Sequence, residues 1–469
     1  MRLLCHLLVI FTSFLCDKYA YCQQWELLGN GVSGPVHSMY ADHDNDFLYL
    51  TGRFHWLMTE TDTITVTAMA IWDGNNWLTL PEADITCQGF LCNPVGTVVH
   101  YNDVMLFTGM FSDGQFMKML ANSEWQNFGE PNDLAGLRLV GDELFALGLF
   151  TEIGGQYISN RIAQYDGANW HQFASELEGF TSITSFSQIV KYQGNYYVGG
   201  NFKNPDGRNN IMYWDGIAWH PLGQGLLGGI SWVNSMHVYN DLLYVSGYFT
   251  QENGNAGNFI MAWNGEEWLD VFPQLNFFAA AGMLVHDNVL YITGLYLAED
   301  PCCVYTIGTY DGAQFCTFGG YMPFPPQAPN SYPHQIAILH DKVYVRVGIT
   351  FFGESFNYLA RIDKDTPSDY CTDIVPLTAI SENSSLGNML TIHPNPTSSY
   401  LTLTGSALLP GSELKVYNVA GQQVYSEVLP YAHETHTLDA RRFGPAGLYL
   451  LHLNSPGHTP VVKKVVVQG

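Results

Sequence analysis

The chain has 469 residues with Lys+Arg 18 against Asp+Glu 43, a formal net charge of −25, and only 13% of it is charged, about half the usual share of roughly 25%. Such acidity repels phosphate backbones and anionic lipid, so neither nucleic acid nor a membrane surface is an expected partner. Gly (46), Tyr (28), Phe (27) and Trp (11) are plentiful, a mixture that suits short strands and tight turns rather than helices.

The chain opens MRLLCHLLVIFTSFLCDKYAYCQQW. One early Arg precedes an apolar run of about 13 residues, too short for a span of about 20. Residues 1–22 therefore read as a cleaved signal peptide, with Ala20 and Cys22 at the small-residue positions and a mature start near Gln23. Lipidation at Cys16 or Cys22 is the competing reading, disfavoured by the bulk of Leu15 and Tyr21 before them. No later segment is long and apolar enough to form a transmembrane helix.

Trp25, Trp77, Trp125, Trp170, Trp219, Trp268 and Phe315 recur roughly every 45 to 52 residues. Most close a hexapeptide: WDGNNW, YDGANW, WDGIAW and WNGEEW. Before each hexapeptide comes an alternating strand, and before that an apolar strand closing on Gly-x-aromatic, as in LYLTGRF, MLFTGMF, LFALGLF, YYVGGNF, LYVSGYF and LYITGLY. Asp-Gly tolerates the positive φ of a two-residue hairpin turn, so it is expected to link two antiparallel strands whose flanking aromatics meet across the pair. The second unit reads LANSEW, which places the less ideal pair Asn122-Ser123 in its turn.

Units of about 48 residues and about four strands predict an all-β chain, a seven-bladed β-propeller over 23–365. The chain enters on the strand after a turn, Trp25-Glu26-Leu27-Leu28-Gly29, while the seventh unit ends in NYLARIDKDT without a hexapeptide. The N-terminal strand is thus expected to complete the last blade and close the ring. At Gly-x-Phe and Trp-Asp-Gly-x-x-Trp the units resemble kelch-type propeller repeats of exported bacterial proteins, although only Gly199-Gly200 shows the family's double glycine. The Asp-box of sialidases does not fit, because Asp73 touches Gly74 directly and no Ser precedes it by two.

Of nine Cys, those remaining after the signal are Cys87, Cys92, Cys302, Cys303, Cys316 and Cys371. An even set in an exported chain predicts disulfides. Cys87 with Cys92 is the easiest local pair, and Cys316 is expected to bridge to the vicinal Cys302-Cys303 within the sixth blade. Their spacing matches no zinc site.

Asp42, Asp44 and Asp46 in ADHDNDFLYL resemble a calcium loop. The stretch also aligns with HYNDVML, VYNDLLY and LHDKVYV, so a solvated turn lengthened by two residues is the better account. No His motif, nucleophile elbow or other catalytic pattern stands out, and no cofactor is expected. The Pro-aromatic stretch YMPFPPQAPNSYPH, residues 321–334, reads as a rigid loop rather than a ligand platform. The loops after Gly-x-Phe (HWLMTETDTITVT, TEIGGQYISN, KNPDGRNN, TQENGNAGN) vary most and gather on one rim by propeller geometry, where their amides suit a glycan or protein ligand.

After Asp365 aromatics become scarce, and 366–387 reads as a linker. Residues 388–469 predict a small C-terminal β-sandwich of alternating strands. Pro394-Asn395-Pro396, Val416-Tyr417-Asn418 with Gly421, Gly447-Leu448-Tyr449, and Lys463-Lys464 before terminal valines stand here in order. On these residues the segment is similar to the C-terminal sorting domain of the type IX secretion system. The resemblance implies passage to the periplasm by the signal peptide, then export by type IX machinery that recognises this domain, leaving the cargo secreted or on the outer surface. An ordinary carbohydrate-binding or Ig-like sandwich is the alternative. For the propeller, a non-catalytic recognition or adhesion module is the leading expectation. A polysaccharide hydrolase or lyase with carboxylates over the channel, and a structural matrix component, stand as alternatives.

Overall fold

The computed structural model describes residues 25–467 apart from 29–30, 60, 89–90, 93, 134, 176–181, 204–208, 229–230, 274, 298–303, 318–332, 352–353, 367–370, 375–389, 395–396, 406–407, 419–422, 432–434, 446 and 457–460. The signal segment, Cys302, Cys303, Asn395, Pro396, Gly421 and nearly all of the Pro-aromatic stretch lie outside the described residues. Among the described residues the chain is strand throughout, save for 3-10 turns at Gln251–Asn253 and Ala440–Arg442.

Antiparallel four-stranded meanders follow one another along the first compact unit, which ends at Thr372. The first comprises Val36–Asp42, Phe47–Gly52, Met69–Trp72 and Trp77–Leu78. Similar meanders begin at Val95, Ala135, Ser182, Trp232 and Asn276. The last runs Pro333–Leu339, Lys342–Phe351 and Glu354–Asp363. The first strand of each sheet lies beside the first strand of the next, and that of the last returns to Val36–Asp42. These strands therefore line a closed ring, and the fold is a β-propeller.

Apolar faces of adjacent sheets build the core. Tyr49, Met69 and Ile71 of the first sheet pack with Val95, Val98, Met105 and Phe107 of the second, and the pattern repeats around the ring. The paired aromatics of the hexapeptides stand opposite each other: Trp72 with Trp77, Tyr165 with Trp170, Trp214 with Trp219. Their ring centroids are 4.9, 5.2 and 5.4 Å apart, inside the range where edge and tilted contacts add to burial. Tyrosines at the end of first strands tie neighbours together, Tyr192 donating to the Asp241 carbonyl at 2.8 Å and Tyr239 to that of Asn288 at 2.9 Å.

The turn chemistry differs from the expectation. The two-residue left-handed turn forms at Asn122-Ser123, with φ of 51° and 64°, the copy that looked least ideal. In the Asp-Gly copies only the glycine is left-handed, φ 96° at Gly74, and the loop runs from Asp73 to Asn76. Asp73 Oδ1 accepts from the Asn75 and Asn76 amides at 2.8 and 2.6 Å. A carboxylate thus closes a four-residue loop where a two-residue turn was expected. Asp166, Asp215, Asn264 and Asp311 repeat this arrangement.

The N-terminal strand closes the last sheet as the register of the repeats requires. Glu26 stands opposite Arg361 and Leu27 opposite Ala360; the Leu28 amide donates to the Leu359 carbonyl at 2.8 Å. Trp25 is buried among Ile307, Ile338, Val343, Val345 and Ile362. Arg361 spans the seam: its Nε donates to Glu26 Oε2 at 2.8 Å, its Nη1 to the Gly74 carbonyl at 2.6 Å, and its guanidinium lies 5.6 Å from the Trp72 ring centre.

Cys316 bonds to Cys371, which corrects the expected bridge to Cys302-Cys303. Cys371–Asp373, inside the stretch read as linker, adds an edge strand next to Gln314–Thr317 and brings the two sulfurs together. Cys87 and Cys92 stand opposite each other in a short antiparallel pair; their side chains lie outside the described residues.

The second unit, from Asp373, is a sandwich of a three-stranded sheet (Thr391–His393, Tyr400–Thr404, Thr435–Asp439) and a four-stranded one (Gln423–Val428, Glu413–Asn418, Gly447–Asn454, Val461–Val467). Leu401, Leu403 and Leu438 of one sheet meet Leu414, Val416, Leu451, Leu453 and Val465 of the other.

Replacing Arg361 by Ala removes a charged hydrogen bond to a carbonyl, a cation–π contact and a mostly exposed ion pair, and is expected to lower stability by about 2 kcal/mol. A urea midpoint equal to that of the parent would contradict this. Loss of the Cys316–Cys371 bond, which closes a separation of 55 residues, should lower it by up to about 4 kcal/mol, read from the unfolding midpoint of the double serine variant.

Candidate functional site

Gly-x-Phe is a device that aims one side chain per sheet outward. The first strand carries a bulge, with register shifts at Val36/Ser38, Val95/Val98 and Val233/Ser235, which pushes a carbonyl against the glycine. A Cβ on Gly52 would lie 2.2 Å from the Pro35 oxygen, and one on Gly247 2.1 Å from that of Trp232. The next residue pins to the same carbonyl: Arg53 N to Pro35 O at 2.8 Å, Met110 N to Pro94 O at 2.9 Å. Phe54, Phe111, Phe150, Phe202 and Phe249 are buried, so Arg53, Met110, Leu149, Asn201 and Tyr248 between glycine and phenylalanine face solvent. Bulges re-aim side chains in this way at the rims of closed sheets.

On this rim Trp232 and Tyr248 are 37% and 48% exposed, and stack with ring centres 5.0 Å apart at 15°. Trp232 Nε1 donates to Asn234 Oδ1 at 2.9 Å, which holds the indole in place. The arrangement offers a fixed aromatic surface of the kind that anchors ligands at low entropic cost.

Several polar groups along the first and second strands bond the neighbouring sheet. Gln188 Nε2 donates to the Asn234 carbonyl at 2.9 Å, Asn234 Nδ2 to that of Ala280 at 3.2 Å, and Ser187 Oγ to that of Val233 at 3.2 Å. Thr51 Oγ1 bonds the Gly96 carbonyl at 2.5 Å. These contacts hold the channel wall.

At the opposite rim the three candidate metal-binding aspartates separate. Asp42 pairs opposite Phe47, where Tyr101 faces Val104 in the next sheet, so the turn is longer by two residues. Asp42, buried, accepts from the Asp44 and Asn45 amides at 3.1 and 3.3 Å and from Asn45 Nδ2 at 2.9 Å. His100 Nδ1 lies 3.7 Å from Asp42 and 3.9 Å from Asp44. These three could share an ion. Asp46 turns away to His340, 3.0 Å distant, while His43 stacks on His286 at 5.8 Å. His100 is the residue that sequence alignment of the loop missed, because it comes from the neighbouring sheet.

The closing carboxylates of the hexapeptides are held strongly acidic. Backbone amides of Asn169 and Ala168, then His171 at 2.7 Å, bring Asp166 down to about 2. Amides of Ala218 and Ile217, then His220 at 2.7 Å, do the same for Asp215. Both pairs are exposed. An open cleft of about 310 Å³ beside the first sheet is lined by Thr65, Thr67, Thr79 and Glu82 among others.

In the sandwich, Pro394 follows the strand Thr391–His393. Gly447 opens the central strand, and Tyr449 is buried against Phe443, its hydroxyl donating to the Pro445 carbonyl at 2.6 Å. Lys463 and Lys464 stand opposite Leu451 and Leu450 on the last strand. The whole of this sandwich, residues 391–468, matches the secretion system C-terminal sorting domain. Residues 391–468 are a type IX secretion sorting domain. Such a domain marks a secreted or cell-surface protein, and no helix among the described residues is long and apolar enough to cross a membrane.

Comparison with curated proteins finds no match. Among solved structures the sorting-domain protein is similar to PorZ, a surface component of the type IX secretion system of Porphyromonas gingivalis, at 12% identity and a TM-score of 0.39, covering 94% of this chain and 60% of that one. It therefore spans less than two thirds of that relative. A Trypanosoma rangeli sialidase mutant matches at 11% identity and TM-score 0.33 over 83% and 89% of the two chains. The WD40 domain of SCAP from fission yeast matches at 8% and 0.27 over 96% and 89%.

Because Asp166 and Asp215 titrate lower folded than unfolded, their turns add stability that is full above about pH 4 and lost as pH falls toward about 2. Changing both to Asn, the natural residue at 264, should flatten the dependence of Tm on pH between 4 and 2. An unchanged slope would contradict the carboxylate's closing role.

Proposed function

We propose that the ring is a non-catalytic recognition module, carried to the outer surface or the medium by the type IX system, and that it meets its ligand on the Gly-x-Phe rim. The carrying observation is the repeated bulge that exposes Arg53, Met110, Leu149, Asn201 and Tyr248 while burying every following phenylalanine. Trp232 on Tyr248 supplies the flat apolar contact, and amide side chains in the flanking loops supply hydrogen bonds. Reading the ring as seven-bladed, with a leader over 1–22 and a linker after the Cys371 strand, accords with this route.

Two experiments test the reading. Trp232→Ala with Tyr248→Ala should reduce binding on an array of glycans and host or matrix proteins by about tenfold or more without loss of the folded ring; absence of any parental binding above background would count against a recognition module. Deleting residues from Leu390 onward should leave the protein in the periplasm, and normal secretion of the truncated chain would defeat the delivery route.

A further inference from the structure

The first strands line the channel, and their charge runs against that of the chain. Over Val36–Asp42 and the strands that begin at Val95, Ala135, Ser182, Trp232, Asn276 and Pro333, the charged residues besides histidine are Asp42, Arg138 and Lys191. One acid stands against two bases in a chain where acids outnumber bases 43 to 18. Asp42 is buried and closed by the Asp44 and Asn45 amides, and Lys191 lies 3.7 Å from Glu143 Oε2. Arg361, Arg441 and Lys118 likewise meet carboxylates, at 2.8, 2.8 and 2.5 Å. Among the described residues no carboxylate pairs with Arg138.

Alternation along Ala135–Val140 sends Leu137 and Leu139 against the second sheet and Val140 against the sheet that begins at Ser182, so Arg138 points toward the latter. The corresponding residues of the other first strands, two before the end, are Tyr40, Val99, Val190, His237, Leu284 and Ala337. Tyr40 and His237 bond the backbone of the following sheet, at His100 and Met283. Arg138 instead turns back on its own strand, Nη1 donating to the Leu137 carbonyl at 2.8 Å. Gly136, the next residue on that face, keeps the space beside it open, since even a Cβ there would touch Nη1 at 3.8 Å. The Leu137 contact fixes the guanidinium and uses the one nitrogen that a side-on fork does not need. Nε and Nη2, which point the same way, find no partner, and neither is sealed from solvent. Burial alone pushes Arg138 down to about 10, with no charged neighbour acting on it, so it is a desolvated and unpaired cation at pH 7. Proteins rarely leave an enclosed charge in that state. The side chain keeps part of its surface in solvent, so a partner can reach it from outside.

We propose that Arg138 anchors an anion site on the channel wall, which takes a small ligand through one carboxylate or phosphate group held by Nε and Nη2. Two parallel charged hydrogen bonds to such a group are the geometry that a guanidinium favours. Because Nη1 is already fixed on the Leu137 carbonyl, the fork is oriented before the ligand arrives. With Asp42 buried as the one acid of the described first strands, the wall does not repel an anion there despite the net charge of −25. The site lies near the turn end of its strand, away from the Gly-x-Phe rim, and does not rest on the recognition-module reading.

The test is titration of the full chain with sodium acetate and with sodium phosphate, sodium chloride keeping the ionic strength constant, read by calorimetry and by the Arg138 Nε–H resonance. At least one of the two oxyanions should saturate with a Kd of about 1 mM or tighter and shift that resonance; the tighter binder names the group. Arg138→Val installs the residue found at 99 and 190, so it should keep or raise the unfolding midpoint while weakening that anion about tenfold or more. Arg138→Lys keeps the charge without the fork and should weaken it severalfold. Failure of both anions to saturate by about 10 mM, or parental affinity in Arg138→Val, overturns the site, and parental affinity in Arg138→Lys overturns the fork. A lowered midpoint in Arg138→Val, with neither anion moving the midpoint of the parent, would make the arginine a structural part of the wall and also overturn the site.

Discussion

A four-stranded sheet with two apolar faces cannot rest in water on its own, and the ring exists because every sheet is covered on both sides. That requirement makes closure the governing constraint. A linear stack would leave the outer face of Val36–Gly52 and that of Pro333–Phe351 exposed, whereas in the closed ring Leu48, Leu50 and Trp72 meet Ala337, Leu339 and Tyr344. The seam is also where the last sheet lacks its own fourth strand, and Trp25–Leu28 fills that place. Arg361 then reads three elements at once: the strand it belongs to, the incoming Glu26, and the first sheet's turn at Gly74.

The hexapeptide shows how local chemistry serves this constraint. Its aromatics cover the gap between sheets, and its glycine does more than accept positive φ. A Cβ on Gly312 would lie 2.4 Å from Asn240 Nδ2, and one on Gly74 3.0 Å from His340 Nδ1, so the turn of one sheet nests against the preceding sheet. The Asp closes the turn from its side chain, which frees the loop to stay tight under that contact.

Periodicity made the repeat, the aromatic pairs and the strand-borrowing closure legible, because each follows from spacing and alternation along the chain. What stayed hidden depends on distance across it. The Asp-Gly turn was misread because its dipeptide also fits a two-residue turn, and only the register of Trp72 with Trp77 distinguishes the two. Cys316 meets Cys371 through an edge strand in a stretch that composition describes as linker. His100 joins Asp42 and Asp44 only once neighbouring sheets are side by side. The Gly-x-Phe rim was visible as a pattern, yet its middle residue looked like noise until the bulge gave it a direction. The sorting domain was readable from ordered motifs, several of which sit at core or strand-edge positions, as with Tyr449 and Gly447.

Closure of the ring by the N-terminal strand is the claim on which the rim and its sites depend. It is tested most directly by placing cysteines at Glu26 and Arg361, which face each other in the register, and mapping the oxidised full chain by peptide mass spectrometry. The account predicts a bond between positions 26 and 361 that forms in the folded protein and raises its unfolding temperature over the reduced form. Two free thiols at those positions under the same oxidation, in a protein that remains folded, would contradict it.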